Sequence, residues 1–285
     1  MSQETVTEET LDSPTTGSAS VWADQVRAFA GRNLREIAHS WTLLSIALGF
    51  GPFLYLVYLM AWDSVPAPMR ASLAVGLGTF GSMLVCLYVF GNQLVVDIEA
   101  SRYELYRAMP VRPSADLVGR MIAGLTISCV AFLSTLLAGG LTGASFGIRG
   151  PESVPIVVAA FALSCLLWMV VAVPIVIAAN NERYAEFLTT MVAVVAVFVT
   201  GNNGVVPEMS MVDGELLNVV PNALSARLLG YHLVGGGEYA RAGLVPPPMP
   251  SGLESVALLG LYGVGALALG IAFVRTSLYD NGGDV

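Results

Sequence analysis

Lysine is absent from this 285-residue chain, and all thirteen of its basic side chains are arginine. Without lysine, the glycine-rich phosphate loop ending in Lys-Ser or Lys-Thr cannot be built, so the chain does not bind and hydrolyse ATP alone by that route. Histidine is nearly absent too: His39 and His232 are the two in the chain, too few and too far apart for a shared metal or hydrolytic site. His39 reads as an interfacial residue and His232 as a solvated loop residue. Charged residues of both signs reach only 12%, which leaves no basic surface for nucleic acid. Cys86, Cys129 and Cys165 each sit inside an apolar run, the pattern of small buried hydrophobes and not of a disulfide framework or a metal site.

What fills the chain instead is apolar. Hydrophobic side chains make up 55%, with thirty glycines and a mean hydropathy of +0.71. Those values exclude an ordinary water-soluble globule. A hydrocarbon core roughly 30 Å thick needs about 20 apolar helical residues, and uncharged runs of that length recur. Lipid offers no partner for free backbone groups, so helices are expected. Six spans are predicted: Trp41 to Ala61, Ser72 to Val95, Met121 to Leu141, Val154 to Ala179, Phe187 to Thr200 and Leu253 to Val274. Their interiors carry no Asp, Glu, Arg or His, which argues against a proton-driven relay within the bundle. Neutral oxygen ligands for Na⁺ remain open.

Residues 21–40 place Trp22, Val26, Phe29, Ala30, Leu34 and Ile37 on one helical face, with Arg27, Arg32, Arg35 and His39 opposite. Such a helix is expected to lie flat at the membrane interface. Before it, residues 1–20 are acidic and rich in Ser and Thr, the composition of a disordered tail. With the N-terminus inside, nine arginines fall on the cytosolic side and Arg70, Arg149, Arg227 and Arg241 outside. The positive-inside rule therefore puts both termini in the cytosol of a multi-pass plasma-membrane protein.

The stretch RYELYRAMPVRPSADLVGR, residues 102–120, then becomes the substantial cytosolic loop between spans. Orientation explains its arginines. It does not explain Tyr103, Leu105, Tyr106 and Met109 at helical spacing, halted at Pro110 and Pro113, which predict a short exposed helix. Aromatic and Met side chains beside Arg fit a partner-docking surface, with a lipid-surface helix as the alternative. On the other side, residues 201–252 form a connection too long for a plain turn, with a short helix expected after Pro221. The GLGTFG match at Gly76–Gly81 lies in an apolar run and follows no predicted strand, so it reads as close helix packing and not as a nucleotide site.

In order, QVRAFAGRNLREIAHS, a first span with central Pro52, EASRYELYRAMPVRPSADLVGR between the second and third spans, and PNALSARLL before the last span resemble the permease subunit of type-2 ABC exporters, over roughly residues 21–278. The resemblance implies an all-α domain of six transmembrane helices over 41–278, preceded by an amphipathic helix at 21–40 and followed by a tail at 279–285. It implies a coupling loop at 99–113 built on Glu99, Arg102, Tyr103, Glu104, Leu105, Tyr106, Met109 and Pro110, with Glu104, Leu105, Tyr106 and Met109 as contacts. The partners implied are a cytosolic ATPase carrying ATP and Mg, a second permease subunit (homodimer or heterodimer) and the bilayer; this chain itself would bind no cofactor. A translocation path between subunits would draw on Phe53, Tyr55, Tyr58, Phe80 and Phe198. The GNNGVVPEMSMVDGE stretch after the fifth span departs from the family's apolar re-entrant hairpin. A self-sufficient carrier or channel, and a non-transporting scaffold, stand as alternatives.

Overall fold

A computed structural model describes residues 15–62, 64–179, 181–235, 238–245 and 248–280, with side chains within residues 19–278. It is an all-α, multi-pass membrane protein. Helix α1 (Thr15–His39) turns at Ser40, whose hydroxyl accepts from the Leu43 N–H at 3.4 Å, into α2 (Trp41–Ala61). Helices α3 (Ala67–Leu84) and α4 (Phe90–Glu99) run on through a single π turn, Val85–Val89, as one rod. Short α5 (Arg102–Ala108) precedes α6 (Pro113–Leu141), α7 (Ser153–Ala178) and α8 (Glu182–Val199). A four-residue turn, α9 (Gly201–Gly204), leads by irregular chain to α10 (Pro221–Leu233) and then α11 (Leu253–Val274).

Five described helices are long and apolar enough to cross a bilayer: α2, the α3–α4 rod, α6, α7 and α11 with its extension to Leu278. The expected fifth span, α8, is 18 residues long and starts with Glu182, Arg183 and Glu186, too charged to qualify by composition. It nevertheless packs beside the α3–α4 rod, starting at that rod's Glu99 end. Its first N–H, at Glu182, donates to Glu99 Oε1 at 2.9 Å, and just past its end Thr200 meets Asn222. The α3–α4 rod is the axis of the bundle: its most apolar window is 94% buried, against 17% for α2 and for α11. The other helices therefore pack around it and keep lipid-facing sides.

Close approach around that axis depends on glycine. A Cβ on Gly78 would lie 2.9 Å from the Phe132 ring, one on Gly76 2.5 Å from Val205, and Gly81 lies against the Gly51 backbone. The GLGTFG segment is thus a packing seam, as its apolar setting indicated. Cys86 and Cys165 are buried and Cys129 half-buried, all as free thiols.

Two expectations need correction. Helix α1 begins at Thr15, within the 1–20 tail, whose first fourteen residues lie outside those described. Its apolar face also meets protein, since Val26, Ala30 and Ile37 are buried, with Phe29 set against Gly119 of α6. The reason is the missing side chain at Gly119, which opens a groove on α6 deep enough to seat a helix.

A Cβ at Gly119 would fall 2.6 Å from Phe29 Cβ and 2.8 Å from the Val26 carbonyl oxygen, a backbone atom that cannot swing aside. Gly119→Ala is expected to destabilise the fold by about 1–3 kcal/mol and to loosen α1, so that trypsin cleaves at the surface residues Arg27 and Arg35, which the intact helix protects. Gly49→Ala, with nothing within 4 Å, is the neutral control. Equal proteolysis of the two variants would refute the α1–α6 seat.

Candidate functional site at the arginine-rich end

Helices α1, α4, α5 and α6 converge on one buried carboxylate. Asp97, two residues before the end of α4 at Glu99, is 1% exposed. Its Oδ1 accepts from Arg32 Nη2 at 2.8 Å and from Arg102 Nη1, and its Oδ2 accepts from Arg120 Nη2. Arg120, equally buried, uses every guanidinium nitrogen. Its Nε donates to Asp116 Oδ1 at 2.7 Å and its Nη1 to the Gln93 carbonyl at 3.4 Å. Tyr103 closes the group from α5: its hydroxyl donates to Asp116 Oδ2 at 3.2 Å, and its ring lies 5.9 Å from the Arg120 guanidinium carbon. With Glu36 bonded to Arg32 at 2.9 Å, three guanidiniums face three carboxylates.

Such a group holds together because burial makes any lone charge expensive, while paired and hydrogen-bonded charges are tolerated. Burial alone would lower the Arg32 pKa, but the Asp97 carboxylate and Glu36 hold it above the ordinary arginine value. Burial, then the charge of Asp97, push the Tyr106 phenol upward. Tyr106 is therefore a neutral hydroxyl, which accepts from Arg32 Nη1.

The side chains expected on the exposed side of α5 divide between two faces. Leu105 (58% exposed) and Met109 (39%) point outward with Glu104. Tyr106, expected among the contacts, is turned inward against the Phe29 ring at 5.5 Å, and Tyr103 is buried beside it at the same distance. Their i, i+3 spacing puts both on one side of α5, and that side is turned to the core. Glu99 ties α4 to the start of α8, and the Pro110 carbonyl accepts from Gln25 Nε2 at 2.7 Å. On α1, Trp22 donates to Ser114 Oγ at 3.2 Å, Arg27 pairs with Asp24, and Arg35 donates to the Gly31 carbonyl. Arg32, placed opposite the apolar face by the sequence pattern, instead turns into the charged group. Its long side chain curls around the helix to reach Asp97, and that reach is invisible to a helical wheel.

The aromatic residues assigned to a path do not share one cavity within the subunit. Phe80 is buried edge-on to Phe50, and Tyr55 is buried with its hydroxyl 2.8 Å from Thr142 Oγ1. Tyr58 stacks edge-on with Trp62, while Phe53 and Phe198 are exposed on the bundle surface.

Sequence reasoning placed no ionisable group inside a span, and here the structure differs. Arg120, just ahead of the expected third span, and Asp97, just past the second, lie within continuous helices and are buried. At the opposite end a second polar group was also missed. Asn222 Nδ2 donates to Thr200 Oγ1 at 2.7 Å and Asn203 Oδ1 at 2.9 Å, and Ser225 meets Ser164 of α7 at 3.1 Å. Ser164 lies about 16 Å along α7 from its start, so α10 is inserted into the bundle. Gly201, Asn202, Asn203 and Gly204 all have positive φ, between 55° and 72°, a left-handed break tolerated because protein surrounds it. Arg227 is fully buried, donating to the Gly204 carbonyl and Asn218 Oδ1, and burial lowers its pKa to about 10. His232, expected in solvent, is buried against Ser153 at 3.0 Å; burial and then Arg149 lower its pKa. The correction follows from α10 packing on α7, which a short polar-flanked segment did not reveal.

Among the described residues, no group of three or more His, Cys, Asp or Glu side chains is placed to hold a metal ion. Asp97→Asn is expected to cost about 3 kcal/mol, because it removes the charge shared by three guanidiniums and leaves the buried Arg120 with Asp116 alone. Thermal unfolding in detergent checks this. A midpoint for Asp97→Asn equal to wild type would contradict the buried network.

Compared with known protein families and with curated proteins, the chain has no match in either. Its residues by themselves establish a mostly helical, multi-span protein of membrane-embedded, transport-type architecture.

Proposed function

We propose that this chain is the transmembrane permease subunit of an ATP-binding-cassette exporter, working as a dimer and driven by a separate cytosolic ATPase that carries ATP and Mg. The observation supporting it is the clamped helix α5. Tyr103, Tyr106 and Arg102 hold it to the buried charge group, while Leu105 and Met109 stay exposed on its far side. A helix held this way transmits a push as rigid-body motion, where a flexible loop would absorb it. In this reading α8 supplies the sixth crossing, with the arginine-rich end cytosolic. Phe53 and Phe198, exposed on the bundle surface, line a path that a second subunit closes, with Tyr55 and Phe80 packed behind.

The buried ionisable residues do not turn the bundle into a self-driven carrier. Asp97 and Arg120 are committed to ion pairs, and a proton relay needs a group free to change charge.

The test is reconstitution with a cytosolic P-loop ATPase of the same genome, sought first in the neighbouring reading frames. Leu105→Asp with Met109→Asp should reduce permease-stimulated ATP hydrolysis at least tenfold while leaving insertion and thermal midpoint unchanged. Unaltered stimulation would refute the handle, and gradient-driven flux by the chain alone would favour a self-sufficient carrier.

A further inference from the structure

At the end opposite Asp97, the last turn of α10 is zipped to the segment that leads into α7. The Gly147 N–H donates to the Leu233 carbonyl at 2.9 Å, Phe146 and Val234 pair as an antiparallel bridge, and Arg149 Nε donates to the Tyr231 carbonyl at 2.6 Å. The Arg149 guanidinium carbon lies 3.9 Å from the centre of the Tyr231 ring and 5.0 Å from that of Tyr239, and the two rings stack at 5.7 Å. Tyr231, Leu233 and Val234 thus hold the seam, while His232 between them meets Ser153, the first residue of α7.

His232 is only 4% exposed. Its Nδ1 lies 3.0 Å from Ser153 Oγ, and its Nε2 is shut off from solvent with no hydrogen-bond partner among the described residues. A neutral ring fits this place. The serine hydroxyl can donate or accept, so Nδ1 is satisfied in either tautomer, and Nε2 leaves one neutral bond unmade. An imidazolium does not fit, because its second N–H would bring a full charge to a buried position that offers no acceptor.

The surrounding charges divide. Arg149, from the segment before α7, opposes protonation, whereas Glu152 favours it, as do the carbonyls of the last turn of α10. Glu238 and Arg241, in the segment after α10, pair with each other at 3.5 Å. Tyr231 and Tyr239 present rings. Burial is the largest influence and Arg149 adds to it, so the ring is held below the ordinary histidine value.

We infer that His232 is an acid-sensitive latch, whose protonation unfastens the last turn of α10 from residues 146–153. The fastened state holds a neutral ring and the released state binds a proton with ordinary histidine affinity. The latch is therefore intact above a pH of about 6.5 and weakens as the pH falls below it. Only that end of α10 should give way: farther along, Asn222 is held by Thr200 and Ser225 by Ser164, groups that do not titrate in this range. The inference goes beyond the exporter reading and stands without the ATPase. In the orientation of that reading the latch faces the outside, where acidity changes independently of the cytosol.

The test is amide hydrogen exchange on the full chain in nanodiscs, with protection corrected for the intrinsic effect of pH. Between about pH 7.5 and about pH 5, wild-type protection at Gly147 and Val234 should fall about fivefold. In H232Q, neutral throughout, it should stay level. The variant H39Q removes the exposed histidine at the other end and should behave as wild type. Level protection in wild type, or an equal fall in H232Q, would overturn the latch. So would a fall that spreads to α2 and α11, which is general acid unfolding. Thermal midpoints at the higher pH show which variants are folded. Should H232Q not fold, E152Q carries the test, since Glu152 is exposed and makes no cap bond to α7. Losing its charge should move the midpoint of the exchange transition to lower pH; a midpoint that stays or rises contradicts protonation of His232 as the cause.

Discussion

A carboxylate taken out of water must be neutralised where it stands, and Asp97 is neutralised by arginines from three other helices. One oxygen answers Arg32 and Arg102, the other Arg120. Separating any of those helices from α4 would strand charge in a medium that cannot solvate it. Ion pairs of this kind add little net stability over well-packed apolar residues, but they resist alternative arrangements strongly. The value of the network therefore lies in fixing how α1, α4, α5 and α6 sit against each other. The amphipathic helix, the short helix α5, the end of one span and the start of the next become one rigid assembly.

From that assembly the α3–α4 rod carries the connection through the bundle. Its far half approaches the left-handed turn at residues 201–204, where Asn203 Nδ2 donates to the Gly76 carbonyl at 3.3 Å. The two ends differ in kind. One is locked by full charges, whereas the other is stitched by amides and hydroxyls around an interrupted backbone. Neutral hydrogen bonds exchange partners at far lower cost than buried ion pairs. The amide end is accordingly the more compliant of the two.

Much of this was legible in the sequence. Span limits at Trp41–Ala61 and Leu253–Val274 follow directly from where uninterrupted apolar character begins and ends. The short helix in the loop was legible from Tyr103 and Tyr106 at i, i+3, followed by Pro110. The direction those rings face was not, because the same spacing describes an inward stripe or an outward one. That choice is made by Arg32, Phe29 and Asp116, which lie far away in the chain. Asp97 and Arg120 were read as loop charges because hydropathy windows stop at the first charged residue, while a helix continues if the charge finds a partner. His232 and Arg227 were misplaced for a related reason: α10 is buried by neighbours, not by its own composition.

Backbone hydrogen exchange of residues 102–108 tests the central claim most directly, since amides in a clamped helix exchange through the opening of the network and those of a tethered loop do not. In the wild-type protein these amides should be protected comparably with the first turns of α6, and Asp97→Asn should release them while α7 and α11 keep their protection. Fast exchange of 102–108 in wild type, or unchanged protection in Asp97→Asn, would show that Asp97 does not hold the helix.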